Sequence, residues 1–419
     1  MRLSENGQYC IANTGAIIII LLMIFIIITP SILQPALATT VTDLSANATI
    51  TTANDTGYSS FILVPSNQST TSISSSVEKT NVTLRGLFNV HNDPGNWNHL
   101  LQPALDELNR RHPDMNIGLE YTEFFYPGTR NQILDRLSKG ESVDIISVDQ
   151  IWLGEFAQRG LIENLTQKFE EWGRISDLYE PNLDGCVYNG SLYALWLWTD
   201  VRGMWYWKDM LQEAGVDPES LKTWEGYISA AVKLNDFFGD RITQGVHLVG
   251  ASHDPDMWYP YLWMLAAFPR ESWPTLEQEV GFIPMFPVPN QTIQTSTMMG
   301  GWELAIPSTS QNSDLAWELI TILAQPEILG PFLREMGFLP TLRTLGEGQF
   351  SEQSRESIPY FDEMVSMIPD GRSRPNIPEY TEIAEHIHQA IQQVYNGSAS
   401  PKDALDMAAA KSADSLGWK

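Results

Sequence analysis

From residue 82 onward the chain alternates between apolar runs of strand length and apolar positions at helical spacing. Residues 82–90 read as a strand. Trp97, Leu100, Leu101, Ala104, Leu105 and Leu108 then recur one helical turn apart and predict a helix, with Arg110 and Arg111 near the end where the dipole favours cations. Residues 117–124 predict a second strand, and Thr129 opens a short helix running to Leu137. Residues 143–148 form a continuous apolar run ending in Asp149, followed by a helix over 151–158 that Gly160 closes. Strands of buried type joined through helices predict a parallel α/β sheet with right-handed crossovers. Such sheets bind ligands beyond the C-terminal ends of their strands. Residues 91–96, 126–129 and 149–152 are therefore the candidate ligand loops.

Further along, residues 192–207 are the densest aromatic stretch, a strand that breaks at 200–203 and resumes. Helices follow over 208–215 and 224–235. Gly300-Gly301 permits unusual backbone angles and suits a crossing between lobes. Residues 313–323 and 380–394 are amphipathic helices.

The N-terminal pattern differs. Residues 16–28 are unbroken apolar, short of the ~20 needed to span a bilayer. Arg2 precedes the run, Pro30 ends it, and Ala36-Leu37-Ala38 has the small-x-small form of a signal peptidase site. This predicts a secretory signal over 1–38; the alternative is an uncleaved signal anchor. Residues 39–81 are rich in Ser and Thr and predict a flexible stalk. Asn47, Asn54, Asn67 and Asn81 head Asn-x-Ser/Thr sequons there, as Asn164, Asn189, Asn290 and Asn396 do beyond it, which predicts a glycosylated surface protein and would suit an archaeal cell surface.

Composition narrows function. The 51 acidic and 25 basic residues of the 419 leave a net charge of −26, a field that repels phosphate backbones, so nucleic acid is not an expected partner. Cys10 and Cys186 stand alone and form no disulfide framework or CxxC motif. No catalytic motif such as GxSxG or HExxH occurs, and neither catalysis nor a cofactor is expected. His386 and His388 read as solvated surface. His247 and His253 with Asp254 and Asp256 read as an ordinary loop, so no metal site is expected. The 14 tryptophans still need an explanation.

The spans FFYPGTRNQ, VDIISVDQIWLGEFAQRGLIENLT, LYALWLWTDVRGMWYWKDML, GGWELAIPSTSQNSDLAWELI, GFLPTLRTL and RPNIPEYTEIAEHIHQAIQQVYNGSASPKDAL occur in the order of one template. It resembles the extracellular solute-binding proteins of ABC importers, in the group of maltose- and trehalose-binding proteins, over most of 82–419. The resemblance implies a two-lobed α/β, periplasmic-binding-protein-like fold, with a first lobe of 82–200 plus 303–345 and a second of 201–302 plus 346–419. It implies hinge closure over a sugar between the lobes, a monomer, an extracytoplasmic location, and permease subunits as membrane partners. It implies ligand contacts at Asp149, at Trp198 and Asp200 of LWTD with Arg202 beyond, at the stacking aromatics Trp258 and Trp302, and at Arg374 of RPNIPEY. Asp93 and Thr129 are weaker matches. Against a domain of usual size, the resemblance implies that roughly sixty to eighty residues of the second lobe are missing around 265–280.

The residue chemistry fits a sugar independently, since an indole packs on the C–H face while Asp and Arg meet the hydroxyls. Core packing competes with ligand contact for Trp198, Trp258 and Trp302, and a helix N-cap competes for Asp149. Trp152, Trp172, Trp224 and Trp317 read as core. Two other binding classes stay open. One is a polyamine-like cation caged by tryptophan with Asp149, Asp200 and Glu303, against which Arg202 and Arg374 argue. The other is a surface glycan-adhesion module.

Overall fold

The apolar run before Asp149 forms a strand, Ile145–Asp149, buried at every position. The structure is a computed structural model that describes residues 2–3, 9–10, 48–54, 58–66, 79–89, 95–125, 128–239, 272–284 and 297–418, with the side chains of 2–3, 9–10, 48–54, 58 and 349 excepted. The chain forms two units, Met1–Thr40 with Lys208–His247, and Val41–Trp207 with Leu248–Lys419.

Besides a short hairpin of Val187–Tyr188 with Ser191–Leu192, the strands of the larger unit are β1 (Ala48–Asn54), β2 (Tyr58–Leu63), β3 (Thr80–Asn89), β4 (Met115–Phe124), β5 (Ile145–Asp149), β6 (Ala194–Val201), β7 (Gly203–Trp207), β8 (Val280–Pro284), β9 (Met299–Ala305) and β10 (Leu339–Pro340). An eight-stranded sheet has the order β10–β6–β9–β5–β3–β4–β2–β1, and β7 pairs with β8 in a separate two-stranded sheet. β3 is parallel to β4 and β5, as the crossover pattern predicts. The sheet as a whole is mixed rather than parallel. The chain leaves it at the end of β6 and returns through the same edge, Val201 lying opposite Met299, so β9 must run antiparallel to its neighbours.

Helices α1 (Asn98–Arg111) and α2 (Thr129–Ser138) make the crossovers, followed by α3 (Leu153–Gln158) after a 3-10 turn at Gln150–Trp152. The predicted stripe of α1 is the buried one, Leu100, Leu101, Ala104, Leu105 and Leu108, in one core with Leu84 and Phe88 of β3. Each such leucine stabilises the fold by about 1.5–3 kcal/mol.

The expected stalk over 39–81 needs correction where β1 and β2 lie. β2 pairs with β4 from Tyr58↔Phe124 to Leu63↔Leu119, Phe61 and Leu63 are buried, and Phe61 stacks on Tyr121 at 4.9 Å. Phe61 and Leu63 share one face of the strand and turn inward, while Ser60 and the half-buried Ile62 take the other face. The signal expected over 1–38 lies outside the described residues except at 2–3 and 9–10. Of the stretch around 265–280 that is expected to be shortened, the description begins at Ser272, where a helix, Trp273–Glu279, leads into β8.

In the smaller unit, α4 (Lys208–Glu213) and α5 (Trp224–Phe238) flank a 3-10 turn at Pro218–Lys222. Thr223 caps α5 by accepting from the Gly226 amide at 3.1 Å, and Lys233 Nζ donates to the Gly215 carbonyl at 2.6 Å.

Candidate functional site

Strand register brings the predicted residues together. Trp302 on β9 lies opposite Asp149 at the end of β5, and Trp198 on β6 lies opposite Trp302. Asp149 takes the capping role that competes with ligand contact, and it has a second partner. It is the N-cap of the 3-10 turn, accepting from the Ile151 amide at 3.4 Å, and it accepts from Arg374 Nη2 at 3.2 Å. The two partners are 7% and 6% exposed, so this is a buried ion pair joining residues far apart in the chain. Trp302 is half-buried, with its ring edge-on to the buried Trp152 at 5.5 Å and 79°. That contact fixes the ring plane and leaves part of the indole accessible.

Asp200 and Arg202 flank the crossing from β6 to β7. They form an ion pair with each other, and Asp200 Oδ1 also accepts from the Gly300 amide at 3.0 Å. Thr297 fixes the Arg202 backbone, accepting from its amide at 2.6 Å and donating to its carbonyl at 3.1 Å.

Several expectations are overturned. Trp198 is 2% exposed and packs against Trp97, Phe332 and Phe338, so it is a core residue. Thr129 is fully buried and its hydroxyl donates to the Phe124 carbonyl at 3.2 Å, which leaves it no access to a ligand. His388 is buried at 2% exposure and hydrogen-bonded to Gln392 at 2.8 Å, not solvated. Asp93, Trp258, and the His247/His253 loop lie outside the described residues. Of the sequons, Asn81, Asn164, Asn189 and Asn396 have exposed side chains, while Asn47, Asn67, Asn290 and the side chain of Asn54 lie outside the description.

Glu303 is fully buried, facing Cys186, whose thiol lies 3.9 Å from its carboxyl. Burial, then repulsion from Asp149, holds its pKa well above the usual carboxylate range against the opposing pull of Arg374 and the thiol. Its neutral form is therefore favoured, and it faces the interior rather than a cage. With Asp149 paired to Arg374 and Asp200 to Arg202, the edge carries no net charge. It offers guanidinium donors, carboxylate acceptors and one indole, the chemistry of a neutral polyhydroxylated ligand.

A second buried acid, Glu123 at the end of β4, accepts from the Gly95 amide at 2.8 Å, and burial pushes its pKa up to about 7. A raised carboxyl contributes its stability in full below about pH 4.5, where it is protonated in both folded and unfolded chains. That contribution is lost as pH rises through about 7, a loss on the order of 3 kcal/mol. Glu123→Gln is expected to flatten this dependence, gaining stability at pH 8 relative to the parent and little at pH 4.5. Urea titrations at both values check it, and a parallel pH profile for the two proteins would refute it.

Sequence reasoning missed Gln150 and Asn376. Gln150 Nε2 donates to the Arg374 carbonyl at 2.8 Å and bonds to Asn376 Oδ1, while its Oε1 accepts from the Arg374 amide at 3.1 Å. The only local signal is a polar residue next to Asp149 at the end of a buried strand. Among the described residues no cluster of metal-ligating side chains occurs, and no helix is long and apolar enough to cross a membrane.

Residues 104–275 match the family described as bacterial extracellular solute-binding protein. A Brucella abortus protein, provisionally named a binding protein, is 23% identical over 339 residues, 66% of this chain and 80% of that one. An arabinooligosaccharide-binding protein of Bacillus subtilis is 30% identical over 143 residues, 32% of this chain and 31% of that one. A solute-binding protein of an ABC transporter from Thermotoga lettingae, solved with α-D-tagatose, superimposes at TM-score 0.60 with 20% identity, covering 81% of this chain and 100% of that one. The chain thus has the α/β fold of the two-lobed periplasmic-binding proteins, and residues 104–275 carry the likeness to the extracellular solute-binding family.

Proposed function

We propose that the chain is the extracytoplasmic receptor of an ABC importer, binding a neutral oligosaccharide at the edge formed by Asp149, Trp302 and Arg374 and delivering it to permease subunits without catalysis. The observation that carries this reading is a half-buried indole set on Trp152 beside a buried carboxylate–guanidinium pair. Bound sugar and oligosaccharide names among the similar proteins support the ligand class. The cation reading loses ground because Asp149 and Asp200 already have guanidinium partners and Glu303 points inward. Export by the N-terminal signal, a monomeric state and glycans on the exposed sequons belong to the same proposal, as does the division into lobes at the β6–β7 crossing.

A thermal-shift screen against di- and trisaccharides, polyamines and amino acids tests it. A sugar present at 100 times its Kd is expected to stabilise the protein by about 2.7 kcal/mol. A shift with spermidine alone would replace the sugar by a cation. Trp302→Ala is expected to weaken sugar binding at least tenfold, about 1.4 kcal/mol, while leaving a cooperative melt. Unchanged affinity would remove Trp302 from the site.

A further inference from the structure

We propose that Gln150, braced by Asn376, is a positioning residue that aims Arg374 at the ligand before the ligand arrives. The proposal rests on the reading of Arg374 as a ligand contact. Gln150 is fully buried and grips the Arg374 backbone at both its amide and its carbonyl, as a paired strand would. Its second amide hydrogen goes to Asn376 Oδ1. Asn376 Nδ2 in turn donates to the Gly185 carbonyl at 2.5 Å and to the Val187 carbonyl at 2.9 Å. All four amide hydrogens of the two side chains are used within the protein, so neither has a donor left for a sugar. The segment also lies directly on α3. A Cβ at Gly154 would come within 2.7 Å of the Asn376 carbonyl carbon and 2.8 Å of its oxygen, so only glycine admits this approach.

Consecutive residues thus hold Arg374 from two ends, Gln150 by the backbone and Asp149 by the guanidinium. An arginine has several rotatable bonds, and fixing both ends removes the ordering cost that binding would otherwise carry. Gln150 acts through Arg374 and touches no ligand.

The test is a double-mutant cycle on the full chain, with oligosaccharide affinity read by calorimetry and the Arg374 Nε–H exchange rate read by NMR without ligand. Gln150→Ala is expected to lower affinity at least tenfold in the parent and less than twofold in an Arg374→Met background. In the ligand-free protein it should speed Arg374 Nε–H exchange at least tenfold. Equal losses in both backgrounds, or an unmoved exchange rate, would overturn the positioning role. Faster exchange in a protein that binds no sugar would sink the sugar reading and leave the placement of Arg374 standing. Should Gln150→Ala not fold, Gln150→Glu keeps the volume and the acceptor while losing the donors. If that too fails to fold, Gln150 is a folding requirement and the proposal falls.

Discussion

Asp149→Ala is expected to abolish measurable sugar binding and to destabilise the protein by about 3–5 kcal/mol, the cost of leaving one member of a buried ion pair uncompensated. Asp149 and Arg374 are both more than nine-tenths buried, so water cannot replace the lost carboxylate. The N-cap of the Gln150–Trp152 turn is lost in the same change, adding roughly 1 kcal/mol. Asp149→Asn separates the two terms, since its amide oxygen can still cap the turn while the charge is gone. Glu303 modulates the outcome. Its neutral form is favoured partly by Asp149 and opposed by Arg374. Removing Asp149 lets Glu303 ionise more readily and become the counter-ion of the stranded guanidinium. The double variant Asp149→Ala/Glu303→Gln should therefore be less stable than the sum of the two single changes, a coupling that urea unfolding of all four proteins measures. A cost under 1 kcal/mol for Asp149→Ala, or strict additivity, would show that the pair is held by its surroundings and not by charge.

The residues of this pair were legible in the sequence for different reasons. Asp149 ends an apolar run of strand type, and strand ends of a parallel sheet are where ligands gather, so local pattern alone picked it out. Arg374 has no such local mark; it came from the order of family-like spans, and only the fold shows that it reaches Asp149. The α1 stripe is likewise readable because it has one period and one buried side, and β3–β5 are readable as apolar runs of strand length.

Trp198 failed for the opposite reason. β6 is buried at nearly every position, so the alternation of Leu and Trp in LWLW carries no information about which ring meets a ligand. Trp196 and Trp198 both end in the interior. Averaging composition over 39–81 concealed β2, whose Phe61 and Leu63 are too few to register among the Ser and Thr residues around them. Gln150 and Asn376 could not have been found by spacing. Their role is a set of bonds between segments more than two hundred residues apart.

The glycine pair ahead of Trp302 gives the second large expected effect. Gly301 has φ of +137°, a conformation that L side chains rarely adopt, and a Cβ there would lie 2.3 Å from the Trp198 carbonyl oxygen and 2.4 Å from Trp196 Nε1. Backbone strain of about 1–3 kcal/mol and overpacking of about 1–3 kcal/mol add, so Gly301→Ala is expected to cost roughly 2–6 kcal/mol. The Trp198 contact is with backbone, which no rotamer change relieves. It falls where the β6–β9 register shifts between Trp196 and Trp198, so the strands would have to move apart there. Trp302 is the next residue, and any such movement turns its indole off the Trp152 ring. Binding is therefore expected to fall with stability, and more steeply than in Trp196→Phe/Gly301→Ala, where removal of the indole N–H relieves the second clash but not the first. Urea unfolding and calorimetry on the three proteins read both effects. A Gly301→Ala protein within 1 kcal/mol of its parent and with unchanged affinity would mean that the β6–β9 pair yields at little cost, and that Trp302 does not depend on it for its orientation.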